Sequence, residues 1–390
     1  MLPATYEVSM NTADTTTTKD KEMQASFSYL DRQFSGVDAY LDDIKALVQR
    51  GDFTLGAAVS EFESRFATSC GLPYAVGVNS GTDALILSLR ILGVGSGDEV
   101  ITTPNTFIAT VGAIAMTGAR PVFVDCNSEY MLDVSQIEAA ITHRTKAIVP
   151  VHWTGYPADM PAIMDIAQHH DLFVIEDAAQ GIQASIYGKH VGSWGETACF
   201  SLHPLKNLNV WGDAGVIVTR SAELYNKLRL YRNHGMASRD EIEMFGYNSR
   251  LDTLQAVIAN RLLSDVCVIT EQRISNATLY DEAFVDLDGY ITIPLRRSGY
   301  RHVYHLYIVQ AHDRDALLDY LQSNGIRAKI HYPIPLHLQK AAAYLGYKTG
   351  DFPVCEELCR TTITLPVHQH LTDAELAHVI EHVRKFYLAQ

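Results

Sequence analysis

The stretch Ala198-Cys199-Phe200-Ser201-Leu202-His203-Pro204-Leu205-Lys206-Asn207-Leu208-Asn209-Val210-Trp211-Gly212-Asp213-Ala214-Gly215 decides how the rest of the chain is read. It opens as an apolar strand, breaks at Pro204 and presents a single lysine. A glycine-containing loop then leads into a second apolar strand, Val216-Ile217-Val218-Thr219. Lys206 therefore falls just past a strand end, between Leu205 and Leu208. Apolar surroundings disfavour the ammonium form and free the amine to act as a nucleophile. Ser201 can bring a hydroxyl to the same place. On this stretch alone a solvated loop lysine is the competing reading, and the neighbouring segments have to separate the two.

The 390 residues are 47 % hydrophobic, enough to bury a sizeable core in two domains. The net charge of −14 is spread along the chain, which argues against nonspecific nucleic-acid binding. Acidity does not exclude an anionic substrate, because one arginine or helix N-terminus can bind it. No run approaches the ~18 apolar residues of a membrane span, and no charged-then-apolar leader opens the sequence. The expectation is a cytoplasmic protein with neither membrane nor nucleic-acid partners. Cys70, Cys126, Cys199, Cys267, Cys355 and Cys359 are scattered through apolar segments and read as buried free thiols. Cys355 and Cys359 have no second pair nearby, and His169, His170, His368 and His370 lack partners at ligand spacing, so no metal site is expected.

Residues 1–25 are rich in Thr, Lys and Asp and read as a flexible arm. Apolar periodicity predicts helices over 37–49 and 57–67. An alternation follows: strand 74–78, helix 81–92, strand 99–103, helix 106–116, strands 121–124 and 147–151, helix 161–169, and strands 172–175, 197–201 and 216–219. Continuous apolar strands alternating with amphipathic helices specify an α/β fold whose mainly parallel sheet is covered on both faces. Beyond Asn260 the pattern changes to long helices with a few strands, including 304–310 and 328–331. The expected division is a large domain over 26–260 and a smaller α/β domain over 261–390.

Parallel sheets bind ligands at the carboxyl ends of their strands, and the residues expected there are informative. Asn79-Ser80-Gly81-Thr82-Asp83-Ala84 opens a helix whose free N–H groups suit a phosphate, or it is an ordinary helix cap. Phe107 faces a ring or the core. Glu176-Asp177-Ala178-Ala179-Gln180 places an acid at a strand end, for chemistry or for capping. A phosphate cradle, an aromatic, a carboxylate and a lysine together match what pyridoxal 5′-phosphate requires. No G-x-G-x-x-G opens a helix and no Walker A sequence is present.

With these motifs the chain resembles the pyridoxal-phosphate-dependent sugar-nucleotide aminotransferases of the DegT/StrS family, from about residue 36 onward. The resemblance is carried by Asn79-Ser80-Gly81-Thr82-Asp83-Ala84-Leu85, Glu176-Asp177-Ala178-Ala179-Gln180 and Phe200-Ser201-x-His203-Pro204-x-Lys206-Asn207, with Arg232-Asn233-His234-Gly235 and Gly246-Tyr247-Asn248-Ser249-Arg250-Leu251-Asp252. It implies a fold-type I architecture, a three-layer α/β/α large domain plus a smaller C-terminal α/β domain. It also implies that Lys206 is the Schiff-base lysine and Asp177 the partner of the pyridine nitrogen. Gln180 would meet the ring 3′-oxygen and Phe107 would stack on the ring. Gly81, Thr82 and Ser201 would hold the phosphate.

Asn248 matches a residue that reaches the phosphate of the neighbouring subunit, which implies a homodimer with shared active sites. Arg250 is a candidate for an anionic group of the substrate. His331, Tyr332 and His337 resemble a segment lining the substrate cleft, with core packing as the other reading. Gly212-Asp213-Ala214-Gly215 looks closest to members acting on 3-keto sugar nucleotides. His203 stands where many of those carry an aromatic, and Asn209-Val210-Trp211 is bulkier than their usual run, departures that bear on the sugar.

The implied reaction moves an amino group from L-glutamate to a keto-sugar nucleotide, an NDP-3-keto-6-deoxyhexose, in amino-sugar biosynthesis. A 4-keto sugar, a cyclitol ketone and a non-catalytic coenzyme-binding regulator are the alternatives. The lysine at 206 argues against the related sugar dehydratases, in which a histidine replaces it.

Overall fold

The computed structural model describes residues 23–388, so the arm expected over 1–25 lies for the most part outside the described residues. At the centre stands a seven-stranded sheet. Its spatial order is Tyr74–Val78, Gly215–Thr219, Thr197–Ser201, Phe173–Asp177, Thr145–Ile148, Glu99–Thr102 and Arg120–Phe123. The last five run parallel to one another. Gly215–Thr219 is reversed, antiparallel to the strands on both its sides. An antiparallel neighbour needs no helical crossover, so the Lys206 stretch is a wide hairpin in which Ser201 pairs with Gly215.

Sequence chemistry accounts for these elements. Every residue of Glu99–Thr102 and Gly215–Thr219 is buried, as continuous apolar strands covered on both faces require. Gly81–Ile91 buries Ala84 through Leu89 against the sheet. Its start is fixed by Ser80, whose extended backbone lets its hydroxyl accept the Asp83 N–H at 3.1 Å, a cap worth about 1 kcal/mol. The helix expected from 106 begins at Ile108, with Phe107 as its extended N-cap residue.

In the C-terminal part, Tyr307–Ala311 pairs antiparallel with Ile291–Thr292 and with Thr362–Leu365. Val266–Phe284, Arg314–Ser323 and Asp373–Leu388 contribute Tyr280, Leu317, Leu321, Val379 and Val383 to one core there. Ala25 is buried in the same core and bridges to Ile326. The strand expected from 304 begins at Tyr307, because Tyr304 sits at φ 46° in the left-handed region. The strand expected over 328–331 does not form. Lys329 makes a single bridge to Thr364, and Tyr332, at φ 57°, turns the chain away. Cys267 is exposed, contrary to the expectation of burial, while the other five thiols are buried. Among the described residues no single helix is long and apolar enough to cross a membrane.

Where the hairpin returns to the sheet, side chains have been removed to let backbones meet. A Cβ on Gly215 would stand 2.3 Å from the Ser80 carbonyl oxygen, and one on Gly81 would stand 2.7 Å from Ser201 Cβ. Gly215→Ala should therefore force the two strand ends apart and cost about 1–3 kcal/mol of stability. Thermal unfolding monitored by circular dichroism checks this, and an unchanged melting temperature would show that the strand ends yield freely.

Candidate active site

The carboxyl ends of the strands and the loops after them enclose a cleft of about 320 Å³. Gly81, Thr82, Phe107, Asp177, Gln180, Ser201, His203, Lys206, His331 and Tyr332, all singled out from sequence, line it together. Three other candidates do not. Asn248 is exposed and bridges to Asn233. Arg250 donates from Nη1 to Asn233 Oδ1 at 3.2 Å. His337 is 1 % exposed and packs edge-on against Phe352, its Nε2 3.1 Å from Glu356 Oε1. Core packing, the alternative for His337, is what the structure places there, because its ring completes the apolar cluster that holds Phe352.

Asp177 ends its strand fully inside the protein. Thr110 donates its hydroxyl to Oδ2 at 2.7 Å and the Ala179 N–H donates to Oδ1 at 3.2 Å, fixing the carboxylate's orientation. Burial pushes this carboxyl above its ordinary range, and the two hydrogen bonds and Lys206 only partly offset that. Burial drives the Lys206 amine down to about 8, opposed by the attraction of Asp177. Among the described residues, no hydrogen bond or salt bridge forms at Nζ. An amine brought down toward neutrality, yet still largely protonated at pH 7, lines the same cleft as a buried carboxylate with which it forms no ion pair.

The next residue along the strand points to the other face. Glu176 is completely buried there, accepting from the backbone N–H groups of Gly192 at 2.7 Å, Trp194 at 2.8 Å and Gly195 at 3.0 Å. His152 adds a fourth donor. Its Nδ1 accepts from Ala158 N–H, so the proton is on Nε2, 3.1 Å from Glu176 Oε2. Burial would raise the Glu176 carboxyl, but these donors hold it below the usual range. The two adjacent acids are thus set apart by environment, one saturated with donors and one left with capacity to accept more.

Gln180 accepts the Thr154 N–H at 2.7 Å through Oε1, which leaves its amide NH₂ to donate to an anionic oxygen. The Gly81–Ile91 helix points its N-terminus at the cleft, between Ser80, Gly81 and Thr82 on one side and Ser201 on the other. Behind it, Ser249 donates to Asp83 Oδ2 at 2.7 Å and accepts from Asn79 N–H. Such a helix start suits an anion, since the free N–H groups and the helix dipole both favour negative charge. Phe107 and Tyr332 rings stand 6.1 Å apart at the cleft. The Lys206 loop is held by Tyr29, whose hydroxyl donates to Lys206 O at 3.1 Å, and by Asn209, which donates to Pro204 O at 2.6 Å. Burial pushes His331 down to about 4, and its Nδ1 sits 2.7 Å from Thr364 Oγ1.

Sequence reading missed Thr110 and His305 and singled out Asp213 only as part of the 212–215 loop, although all three belong to the cleft or its carboxylate. A signal existed for Thr110. Thr106 and Thr110 are one helical turn apart at the start of a helix that follows a strand, and their hydroxyls are 2.8 Å apart. Tyr29 could not be found that way, because nothing local links it to a loop so distant in sequence.

The family model described as "DegT/DnrJ/EryC1/StrS aminotransferase family" matches residues 36–384. The chain is 43 % identical to a UDP-N-acetyl-3-dehydro-alpha-D-glucosamine 3-aminotransferase of Acidithiobacillus ferrooxidans, over 93 % of this chain and 96 % of that protein. It is 39 % identical to a dTDP-3-amino-3,4,6-trideoxy-alpha-D-glucose transaminase of Streptomyces venezuelae, over 88 % of this chain and 90 % of the other. The crystal structure of S. venezuelae DesV in complex with a ketimine intermediate superposes with a TM-score of 0.90 at 38 % identity, covering 93 % of this chain and 98 % of that one.

The depressed lysine has a pH consequence with a definite sign. Between about 8 and the ordinary 10.5, the unfolded chain holds a proton on residue 206 that the folded chain lacks. Its contribution to stability therefore rises with pH across that window. Covalent capture of an added aldehyde by cofactor-free protein should accelerate about tenfold per pH unit below 8 and level off above it, following the free amine. Borohydride trapping and peptide mapping measure it, and a rate still climbing past pH 10 would show that Lys206 is solvated.

Proposed function

Because the chain belongs to the DegT/DnrJ/EryC1/StrS aminotransferase family, we propose that it moves an amino group from L-glutamate to the 3-keto group of a nucleotide-linked sugar, with Lys206 as acid and base. It is a fold-type I transaminase of amino-sugar biosynthesis, and its cofactor is pyridoxal 5′-phosphate. When bound, that cofactor supplies an electron-withdrawing ring that stabilises negative charge on a neighbouring carbon.

The observation that carries the residue assignment is the pairing of a buried, uncombined amine at 206 with a buried carboxylate at 177 across a cleft fronted by a helix N-terminus. Lys206 would hold the aldehyde. Gly81, Thr82 and Ser201 would hold the phosphate, Asp177 the ring nitrogen, Gln180 the phenolic oxygen and Phe107 one ring face. The Lys206 amine, tuned near neutrality, then takes the proton from the donor's α-carbon and delivers one to the sugar's former carbonyl carbon. Asp177, its carboxylate oriented by Thr110 and Ala179, would accept a charge-assisted hydrogen bond from the protonated ring nitrogen.

The choice of the 3-keto position is supported by the Gly212-Asp213-Ala214-Gly215 loop and by the names of the two relatives, both of which specify nitrogen at C3. A homodimer is supported by the surface beside the cleft. Asn248 is exposed there, next to Tyr247 at 40 % and close to Phe245 at 98 % exposure, apolar area that a second copy would cover. In that arrangement Asn248 serves the partner's phosphate site.

Lys206→Ala should remove both the coenzyme's visible absorbance in the lysine-bound form and all turnover. Parent enzyme given ¹⁵N-glutamate and a panel of UDP- and dTDP-linked 3-keto and 4-keto sugars should place the label on C3, read by NMR. Label on C4 would overturn the positional assignment. Coenzyme binding without any half-reaction from a panel of amino donors would favour a regulatory protein instead.

A further inference from the structure

Beside the cleft lies a second, smaller space of about 60 Å³, lined in part by Tyr29, Leu205, Arg273, His305, His331 and His368. Leu205, His305 and His331 also line the cleft, so the two spaces share a wall at the residue preceding Lys206. Arg273 is 2 % exposed. Its Nε donates to Gln369 Oε1 at 3.0 Å, and its Nη1 donates to the carbonyls of Tyr304 at 3.1 Å and His305 at 3.3 Å. The guanidinium carbon stands 5.2 Å from the centre of the Tyr29 ring. All of these partners are uncharged. Among the described residues no carboxylate pairs with this cation, and its Nη2 has no hydrogen-bond partner.

A buried guanidinium with an idle N–H face and no counter-charge destabilises the fold that contains it. The other ionisable groups here do not compensate. Burial, reinforced by nearby cations, holds His305, His331 and His368 below the ordinary histidine range, and all three are neutral at physiological pH. The space therefore carries positive charge from Arg273 with Lys206 close by, and its volume suits a group of a few atoms. A planar guanidinium fork matches a carboxylate in shape as well as in charge.

We propose that this space is an anion subsite that receives a carboxylate of the amino donor, with Arg273 Nη2 as its hydrogen-bond donor. The proposal rests on the transaminase reading and deepens it. The space adjoins the cleft at Leu205, beside Lys206, so a donor whose nitrogen is directed to Lys206 would turn its carboxylate toward Arg273, and a volume of about 60 Å³ suits a carboxylate better than a nucleotide's diphosphate. The subsite selects the donor and leaves the sugar's binding to the open side of the cleft.

The test uses the holoenzyme and whichever of L-glutamate, L-glutamine or L-alanine converts it in the half-reaction. This keeps the identity of the donor separate from the subsite: failure of glutamate with success of another amino acid sinks only the choice of glutamate. Acetate should compete with the donor. Arg273→Lys should weaken donor binding on the order of tenfold, consistent with the loss of one charge-assisted hydrogen bond. Donor binding should fall by more than the rate of the sugar half-reaction started from the aminated coenzyme, a split that a merely loosened fold would not give.

Unchanged donor affinity in folded Arg273→Lys, or acetate without effect, would overturn the proposal and leave the space to water. Chloride that raises the melting temperature of the parent but not of Arg273→Lys, with no competition against the donor, would mark an inorganic-ion site and equally overturn it. Should Arg273→Lys fail to fold, acetate competition in the unaltered protein decides by itself.

Discussion

A lysine and an aspartate are both taken out of water in this protein without being allowed to neutralise each other. Burial penalises the charged form of each, lowering the Lys206 amine and raising the Asp177 carboxyl, and their mutual attraction recovers only part of that penalty. A sequence selected for stability alone would close the gap or replace both by apolar residues. The gap persists because the two groups sit on different strand ends, with a cleft of about 320 Å³ between them. A ligand that engages both ends and binds only the folded chain stabilises that chain by mass action. The site is thus strained in its electrostatics rather than in its packing.

Holding that arrangement takes a framework that is itself fully satisfied. Glu176, one residue before Asp177 and on the opposite face, is pinned by three backbone donors and by His152. A buried carboxylate with every acceptor position used locks the strand's register, so the neighbouring Asp177 cannot rotate out of the cleft. Thr110 and the Ala179 N–H then set the plane of its carboxylate. On the facing strand the hairpin of Ser201 and Gly215 leaves no room for a side chain at Gly81 or Gly215, which brings the helix N-terminus against the lysine loop.

Much of this is legible in the sequence, for reasons that are local. Apolar strands alternating with amphipathic helices specify the sheet. The motifs at residues 79–84, 176–180 and 198–215 each sit at the end of one strand, so they meet wherever a parallel sheet forms. What escapes has non-local or steric causes. The segment 328–331 has strand-like residues but one bridging partner, and the left-handed turn at Tyr332 ends it. His337 sits in a motif-like run near the cleft residues His331 and Tyr332, yet its ring is spent on Phe352 and Glu356. Arg273 gives no signal at all, since an arginine on a long helix is ordinarily solvated and only the tertiary packing buries it.

The segment just before the family-matched region also holds the lysine loop. Residues 36–384 match the family model, but the loop carrying Lys206 is gripped from outside that range, by Tyr29 at the Lys206 carbonyl and by Gln33, whose amide donates to Asn209 Oδ1 at 2.6 Å. The same short segment is tied to the C-terminal part of the chain, through Ala25 to Ile326 and through Arg32 to Glu375, which accepts from Nη1 at 2.8 Å. The Arg273 guanidinium lies over the Tyr29 ring. The Lys206 loop is therefore held by the C-terminal part of the chain as well as by the central sheet. A displacement of one relative to the other reaches Lys206 through two hydrogen bonds and a buried ring, with no flexible linker to absorb it.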